Sequence, residues 1–332
     1  MIALKTIDAH AAGEPLRLIV DGFPAPRGKT MLEKRDWAKR HADHLRRALM
    51  LEPRGHADMY GAVLTEPVSP GSHAGVLFMH NEGYSTMCGH GVIAVTTIAL
   101  ETGLIVPGPD ELAIVYDAPA GTIRARAARA PDNSKIRSVS FLNVPSFVLH
   151  AGLSVTIGNR ALRADVAFGG AFYAIVDSES AGLPIDAAHL PELRRVGMAI
   201  KRAIEETHRI AHPLEAGLQG IYGTIFTGPP SDARADLRNV TIFADAEVDR
   251  SPCGTGTAAV MAVVDAMGLL GDEKPFVHES LIGTTFSGRV SSRTMVGELQ
   301  AIVPEIEGSA WITGVHTFHV EDDDPLREGF RI

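Results

Sequence analysis

The 332-residue chain is poor in cysteine, in aromatic side chains and in positive charge, and each shortage excludes something. Two cysteines are too few for a disulfide scaffold, and neither stands in a CxxC or zinc-finger spacing, so no metal site and a reducing compartment are expected. Lys and Arg number 31 against 40 Asp and Glu, a net charge of -9. That balance disfavours nucleic acid and acidic membranes as partners and leaves a small molecule as the expected one. No apolar run reaches membrane-spanning length, and the start, Met1-Ile-Ala-Leu-Lys-Thr-Ile-Asp8, lacks the apolar core of an export signal. A cytoplasmic protein is expected. Apolar side chains make up 45%, which rules out disorder and supplies cores for one large or two average domains.

What is present is an internal repeat. Laying Cys88–Ile105 over Cys253–Leu270 gives seven identities in 18 positions at an offset of 165, about half the chain, and both cysteines lie inside it. Each copy runs from an extended apolar stretch through a Gly-rich turn into a buried helix of small apolar residues, stopped by Gly103 or Gly268. Segments such as Gly75–Met79, Leu112–Tyr116 and Val240–Phe243 carry strand signals, and strands outnumber helices. Further helices are expected over about 30–50, opened by a Thr30/Glu33 capping box, and about 189–206. The first carries Lys34, Arg35, Lys39, Arg40, Arg46 and Arg47 interleaved with Glu33, Asp36 and Asp43, which reads as a solvated face. The fold class is α/β of the α+β kind: two pseudo-symmetric lobes, each a curved, mostly antiparallel sheet around one central helix. The turn-like stretch Ala127–Ser138 marks the junction. Residues 1–130 then form the first lobe, with Cys88, and the second, with Cys253, begins at 131.

A cysteine at the first turn of a helix faces unpaired N–H groups and the positive end of the helix dipole, which favour thiolate over thiol. The glycines that follow, Gly89 and Gly254, let backbone N–H groups approach a carboxylate closely. Two such helix starts across a lobe interface would hold one small anion between two sulfurs. Acid/base groups on opposite faces of a carbon are what stereoinversion needs, one removing a proton and the other returning it. His90 and Asp249 are the polar residues nearest the cysteines in sequence and are candidates for the substrate's amine. Gly89-x-Gly91-x-x-Ala94 and Gly254-x-Gly256-x-x-Ala259 also match a dinucleotide fingerprint. The acidic residue that such a unit places at the end of its next strand is missing: Asp110 and Glu111 precede that strand, and Asp117 comes too late.

Met87-Cys-Gly-His-Gly91 and Asp249-Arg-Ser-Pro-Cys-Gly-Thr-Gly-Thr257 resemble the proline racemase family, which includes proline racemase, 4-hydroxyproline 2-epimerase and trans-3-hydroxy-L-proline dehydratase. The resemblance extends from Asp8-Ala-His-Ala-Ala-Gly-Glu-Pro15 through Phe168-Gly-Gly-Ala-Phe-Tyr-Ala174 to Gly308-Ser-Ala-Trp-Ile-Thr-Gly314. It implies a diaminopimelate-epimerase-like fold whose C-terminal strands, about 310–332, return to the first lobe, so that the second spans 131–309. It also implies chemistry without a cofactor and a homodimer. Cys88 and Cys253 match the family's two acid/base cysteines; Gly89, His90, Asp249, Gly254 and Thr255 match positions that bind the carboxylate and ring nitrogen of the substrate. His80–Tyr84, Asp58–Val63, Tyr222–Ile225 and Glu321–Leu326 most resemble the dehydratases, which carry Thr where Cys253 stands here. The 4-hydroxyproline epimerases carry a histidine near Tyr222. The reading is a cofactor-independent two-cysteine racemase or epimerase acting on proline or a hydroxyproline. Dehydration of trans-3-hydroxy-L-proline is the alternative, and a non-catalytic amino-acid-binding protein a more distant one.

Overall fold

The computed structural model describes residues 1–108, 112–132, 134–271 and 274–332. Asp110 and Glu111, weighed above against a dinucleotide site, and Asn133, within the stretch Ala127–Ser138, lie outside the described residues. The chain divides into two compact units, Met1–Phe141 with Ser309–Ile332, and Leu142–Gly308.

In the first unit β1 (Ile2–Ala11) and β2 (Glu14–Asp21) form an antiparallel hairpin turned by Ala12 and Gly13, both at positive φ. The helix expected over 30–50 is two, α1 (Met31–His41) and α2 (Asp43–Met50), with Ala42 out of helical geometry between them. Thr30 caps α1, accepting from the Glu33 N–H at 3.1 Å, but the Glu33 carboxylate accepts from the Lys29 N–H at 2.6 Å. The reciprocal arm of the expected capping box therefore closes one residue upstream. Nor is the basic face wholly solvated: Lys34 and Arg46 are buried, and Arg46 pairs with Asp43 at 2.6 Å while donating to the His80 carbonyl at 2.8 Å. Its charge ties α2 to a strand end.

Strands β3 (Tyr60–Thr65) and β4 (Ala74–His80) are antiparallel, with β3 parallel to β2. After α3 (Gly89–Thr102), β5 (Ala113–Ala118) lies parallel to β4 and antiparallel to β6 (Gly121–Arg129). Helix α3 is buried from Gly89 to Ala99 and packs on β1, β2 and β6, which explains why it is apolar all round. Strand β6 passes into β7 (Ile136–Leu142) inside this unit, and the boundary falls at Phe141/Leu142, three residues beyond the stretch that ends at Ser138 and eleven beyond the expected end of the first lobe at residue 130.

The second unit repeats the plan. Strands β8 (Ser146–Ile157), β9 (Arg160–Phe168) and β10 (Phe172–Asp177) are antiparallel in succession. Helices α4 (Ser178–Ala181) and α5 (Leu190–Thr207) then lead to β11 (Ile221–Gly228), parallel to β10 and antiparallel to β12 (Leu237–Phe243). A short β13 (Glu247–Asp249) precedes α6 (Gly254–Ala266), after which β14 (Phe276–Glu279) lies parallel to β12. Strands β15 (Thr285–Val296) and β16 (Leu299–Gly308) continue antiparallel, and β16 pairs back onto β8 at Ala301↔Phe147. The sheet thus closes on itself with α6, packed on β8, β9, β10, β15 and β16, as its core.

Strand β17 (Ala310–Val320) belongs to the first unit, antiparallel to β1 from Ile2↔Val320 to Ala11↔Ala310. Among the described residues no helix is long and apolar enough to cross a membrane.

Candidate active site

The sequence-predicted residues gather in two sets, one in each unit. In the first, β4 runs into a loop that delivers Cys88 as N-cap of α3, its sulfur accepting from the Gly91 N–H at 3.3 Å. A Cβ at Gly91 would lie 2.9 Å from that sulfur and 2.5 Å from Phe78, so the cap bond requires glycine there. His90, in the first turn beside Gly89, brings Nδ1 to 3.2 Å from the Cys88 sulfur, with both side chains buried. The Tyr60 ring, at the start of β3, packs edge-on against the His90 imidazole at 4.8 Å, while its hydroxyl donates to Ser85 at 2.7 Å.

In the second set Cys253 caps α6 the same way, its sulfur accepting from Gly256 N–H at 3.3 Å, and a Cβ at Gly256 would again meet the sulfur at 2.9 Å. The Asp249 carboxylate accepts from the N–H and hydroxyl of Ser251 at 2.8 and 2.7 Å, and the Ser251 oxygen in turn accepts from the Cys253 N–H at 3.1 Å. Thr255, next to Gly254, stands 3.7 Å from the sulfur. Burial, and behind it the Asp249 charge, pushes the Cys253 thiol up to about 12, against the opposing pull of the Tyr173 hydroxyl, the Gly256 N–H and the Thr255 hydroxyl. Here the expected thiolate-favouring effect of the helix start is overridden, because a fully buried charge costs more than a helix terminus returns.

Two features escaped the sequence reading. Tyr173, on β10, is fully buried with its hydroxyl 2.7 Å from Thr255 Oγ1 and 3.7 Å from the Cys253 sulfur. Behind α6, buried His278 contacts Asn239 through Nε2 at 3.0 Å and Thr257 through Nδ1 at 2.9 Å. Both partners donate to the Pro252 carbonyl, at 3.0 and 3.1 Å. An amide nitrogen only donates, so Nε2 is the acceptor and Nδ1 carries the proton. Burial depresses the His278 imidazole to about 3, and the ring is neutral.

The signal available for Tyr173 was its place in Phe168-Gly-Gly-Ala-Phe-Tyr-Ala174, and a second internal repeat, which holds neither Tyr173 nor His278, supplies its ring neighbour Tyr222. Tyr60-Gly-x-x-x-Thr65-x-Pro67-x-Ser69 recurs as Tyr222-Gly-x-x-x-Thr227-x-Pro229-x-Ser231, at an offset of 162. In each unit the loop that follows donates two backbone N–H groups to one carboxylate, Val68 and Ser69 to Asp117, Ser231 and Asp232 to Glu279. Among the described residues no three His, Cys, Asp or Glu side chains converge as a metal site.

Two sulfurs, each an N-cap with its own polar ring neighbour, are equipped for proton transfer. The family described as proline racemase matches residues 6–331. The chain belongs to the proline racemase family. It is 49% identical over 325 residues, 98% of this chain and 97% of the relative, to the trans-3-hydroxy-L-proline dehydratase of Bacillus cereus. It is 44% identical over 331 residues to the 3-hydroxyproline 2-epimerase of Burkholderia multivorans, covering 99% of this chain and 98% of that one. A crystal structure of a hydroxyproline epimerase from Agrobacterium vitis with bound trans-4-hydroxy-L-proline superposes with a TM-score of 0.91 at 30% identity, over 100% of this chain and 95% of that chain. The proline racemase family members so named are epimerases and a dehydratase, and this chain is an enzyme of that family.

Proposed function

We propose that the protein is a cofactor-independent racemase or epimerase that inverts the α-carbon of proline or a hydroxyproline. The observation that carries this is the second sulfur: Cys253 is seated on α6 by the same cap bond, at the same 3.3 Å, that seats Cys88 on α3. Inversion needs one proton removed from the α-carbon and another delivered to its opposite face, and Cys88 and Cys253 are the groups proposed for the two roles. The first-turn N–H groups at Gly89, His90, Gly254 and Thr255 are proposed to hold the carboxylate and spread the charge of the carbanion, with Asp249 and His90 serving the ring nitrogen. Two relatives act by name on 3-hydroxyproline, which makes it the first substrate to try.

The 49% identity to a dehydratase supports a second reading, elimination of water from trans-3-hydroxy-L-proline. One experiment separates them. The enzyme is incubated in D2O with L-proline, trans-4-hydroxy-L-proline and trans-3-hydroxy-L-proline separately, each followed by proton NMR. Loss of the α-proton signal with growth of the opposite α-stereoisomer is expected for at least one, and Cys88→Ala or Cys253→Ala abolishes it. Clean conversion of the 3-hydroxy compound to a cyclic imine, with no α-exchange on the other two, establishes the dehydratase instead. A cytoplasmic location is part of the proposal, supported by two free cysteines that a reducing compartment keeps as thiols. So is a homodimer, which the family resemblance supports and light scattering reads directly.

A further inference from the structure

The repeat places equivalent tyrosines, Tyr60 and Tyr222, at the starts of β3 and β11, and each packs edge-on against a ring that touches its unit's sulfur. In the first unit that ring is the His90 imidazole, 4.8 Å from Tyr60 at an interplanar angle of 77°. In the second it is the Tyr173 phenol, 5.9 Å from Tyr222 at 81°. The frame is duplicated; the group it presents to sulfur is not. An imidazole beside Cys88 can take up the thiol proton. A phenol and the Thr255 hydroxyl beside Cys253 can only turn their O–H bonds toward a sulfur that has become negative.

We infer that Tyr173 is a positioning residue for Cys253: held on Thr255 and buttressed by Tyr222, its hydroxyl donates a hydrogen bond to the sulfur once Cys253 has given up its proton. The inference rests on the two-cysteine reading above. In the step concerned the Cys253 S–H bond breaks, the α-carbon–hydrogen bond forms from the carbanion's electron pair, and sulfur keeps the S–H pair as thiolate. The phenol proton stays on oxygen. Deep burial and the Asp249 carboxylate both oppose that thiolate, while the Gly256 N–H and the hydroxyls of Tyr173 and Thr255 favour it.

The test is the rate of iodoacetamide alkylation at each cysteine, resolved by mass spectrometry at about pH 8.5, where the rate follows the thiolate fraction. Tyr173→Phe keeps the ring and its packing and is expected to slow alkylation of Cys253 roughly tenfold to a hundredfold, the worth of a hydrogen bond to a charged group, while Cys88 keeps its rate. A fluorinated tyrosine at 173, a stronger donor of the same shape, is expected to speed it. The pH profile of inversion shifts in the same two directions. Unchanged Cys253 rates in both variants overturn the inference, as do equal changes at both cysteines, which would mark a purely structural role. Absence of α-exchange by the unmodified enzyme would overturn the underlying reading instead, and the alkylation result is obtained without turnover.

Discussion

Cys253 holds φ at 62° and ψ at 107°, whereas Cys88 caps its helix from an ordinary extended backbone at φ -146° and ψ 113°. A side-chain-bearing residue at such a φ carries strain of about 1–3 kcal/mol. Removing the sulfur by two routes exposes it. Cys253→Gly is expected to be more stable than Cys253→Ala by about 1 kcal/mol in urea unfolding, since glycine adopts that φ freely. At Cys88 the order should reverse, and equal stabilities at position 253 would show the backbone to be relaxed. The raised thiol gives a second expectation. An unfolded cysteine loses its proton near pH 9 while folded Cys253 keeps it to about 12, so the unfolded state binds fewer protons across that window and stability falls as pH rises. The contribution is about 1.4 kcal/mol per pH unit, and it should vanish in Cys253→Ala when alkaline denaturation of the two proteins is compared. The capping cysteines and their glycines were readable from a motif of four residues, because a helix start is local. The state of the thiol was not, because it depends on burial and on Tyr173, a residue 80 positions away.

At the level of elements, the segment from Asp249 to Cys253 is held by bonds that come from three directions: Ser251 within it, Asn239 on β12, and Thr257 on α6. Neutral His278 on β14 fastens the last two together. Its imidazole is depressed from about 6.5 to about 3, so between those values the unfolded state binds a proton that the folded state refuses. Stability from this group is complete above about pH 6.5 and is lost as pH falls toward 3, by up to about 1.4 kcal/mol per unit. Urea midpoints taken from pH 7 down to pH 4 should fall less steeply for His278→Gln than for the native chain, and parallel curves would refute the assignment. Helices were legible in kind and less so in extent. Composition marked 30–50 as helical, but the break at Ala42 and the burial of Lys34 and Arg46 follow from strand ends and carbonyls that α1 and α2 meet only in the folded unit.

For the whole molecule, the 165-residue offset of the cysteine motifs revealed two related halves, whereas the tyrosine repeat at 162 went unseen, carried as it is by turn and small residues that recur widely. The C-terminal strand joins the unit in which the chain began, with β1 as partner along its full length and α3 beneath it. Ending the chain at Gly308 therefore strips the first unit of a strand while leaving the closed sheet of the second intact. Hydrogen exchange on that truncated protein is expected to show β1 and α3 unprotected and α6 as protected as before; protection surviving in β1 would show that the hairpin with β2 suffices.

If the two sulfurs act as proposed, the unlike rings beside them bear on kinetics through the Haldane relation. L- and D-proline are equal in free energy, so their interconversion has an equilibrium constant of one and kcat/KM must be the same in both directions, however different the groups at Cys88 and Cys253. Any chemical inequality between the sulfurs is confined to kcat and KM taken separately, which must rise and fall together as the enantiomer is exchanged. A 3-hydroxyproline pair consists of diastereomers, and that constraint is relaxed by whatever free-energy difference the ring hydroxyl introduces between them.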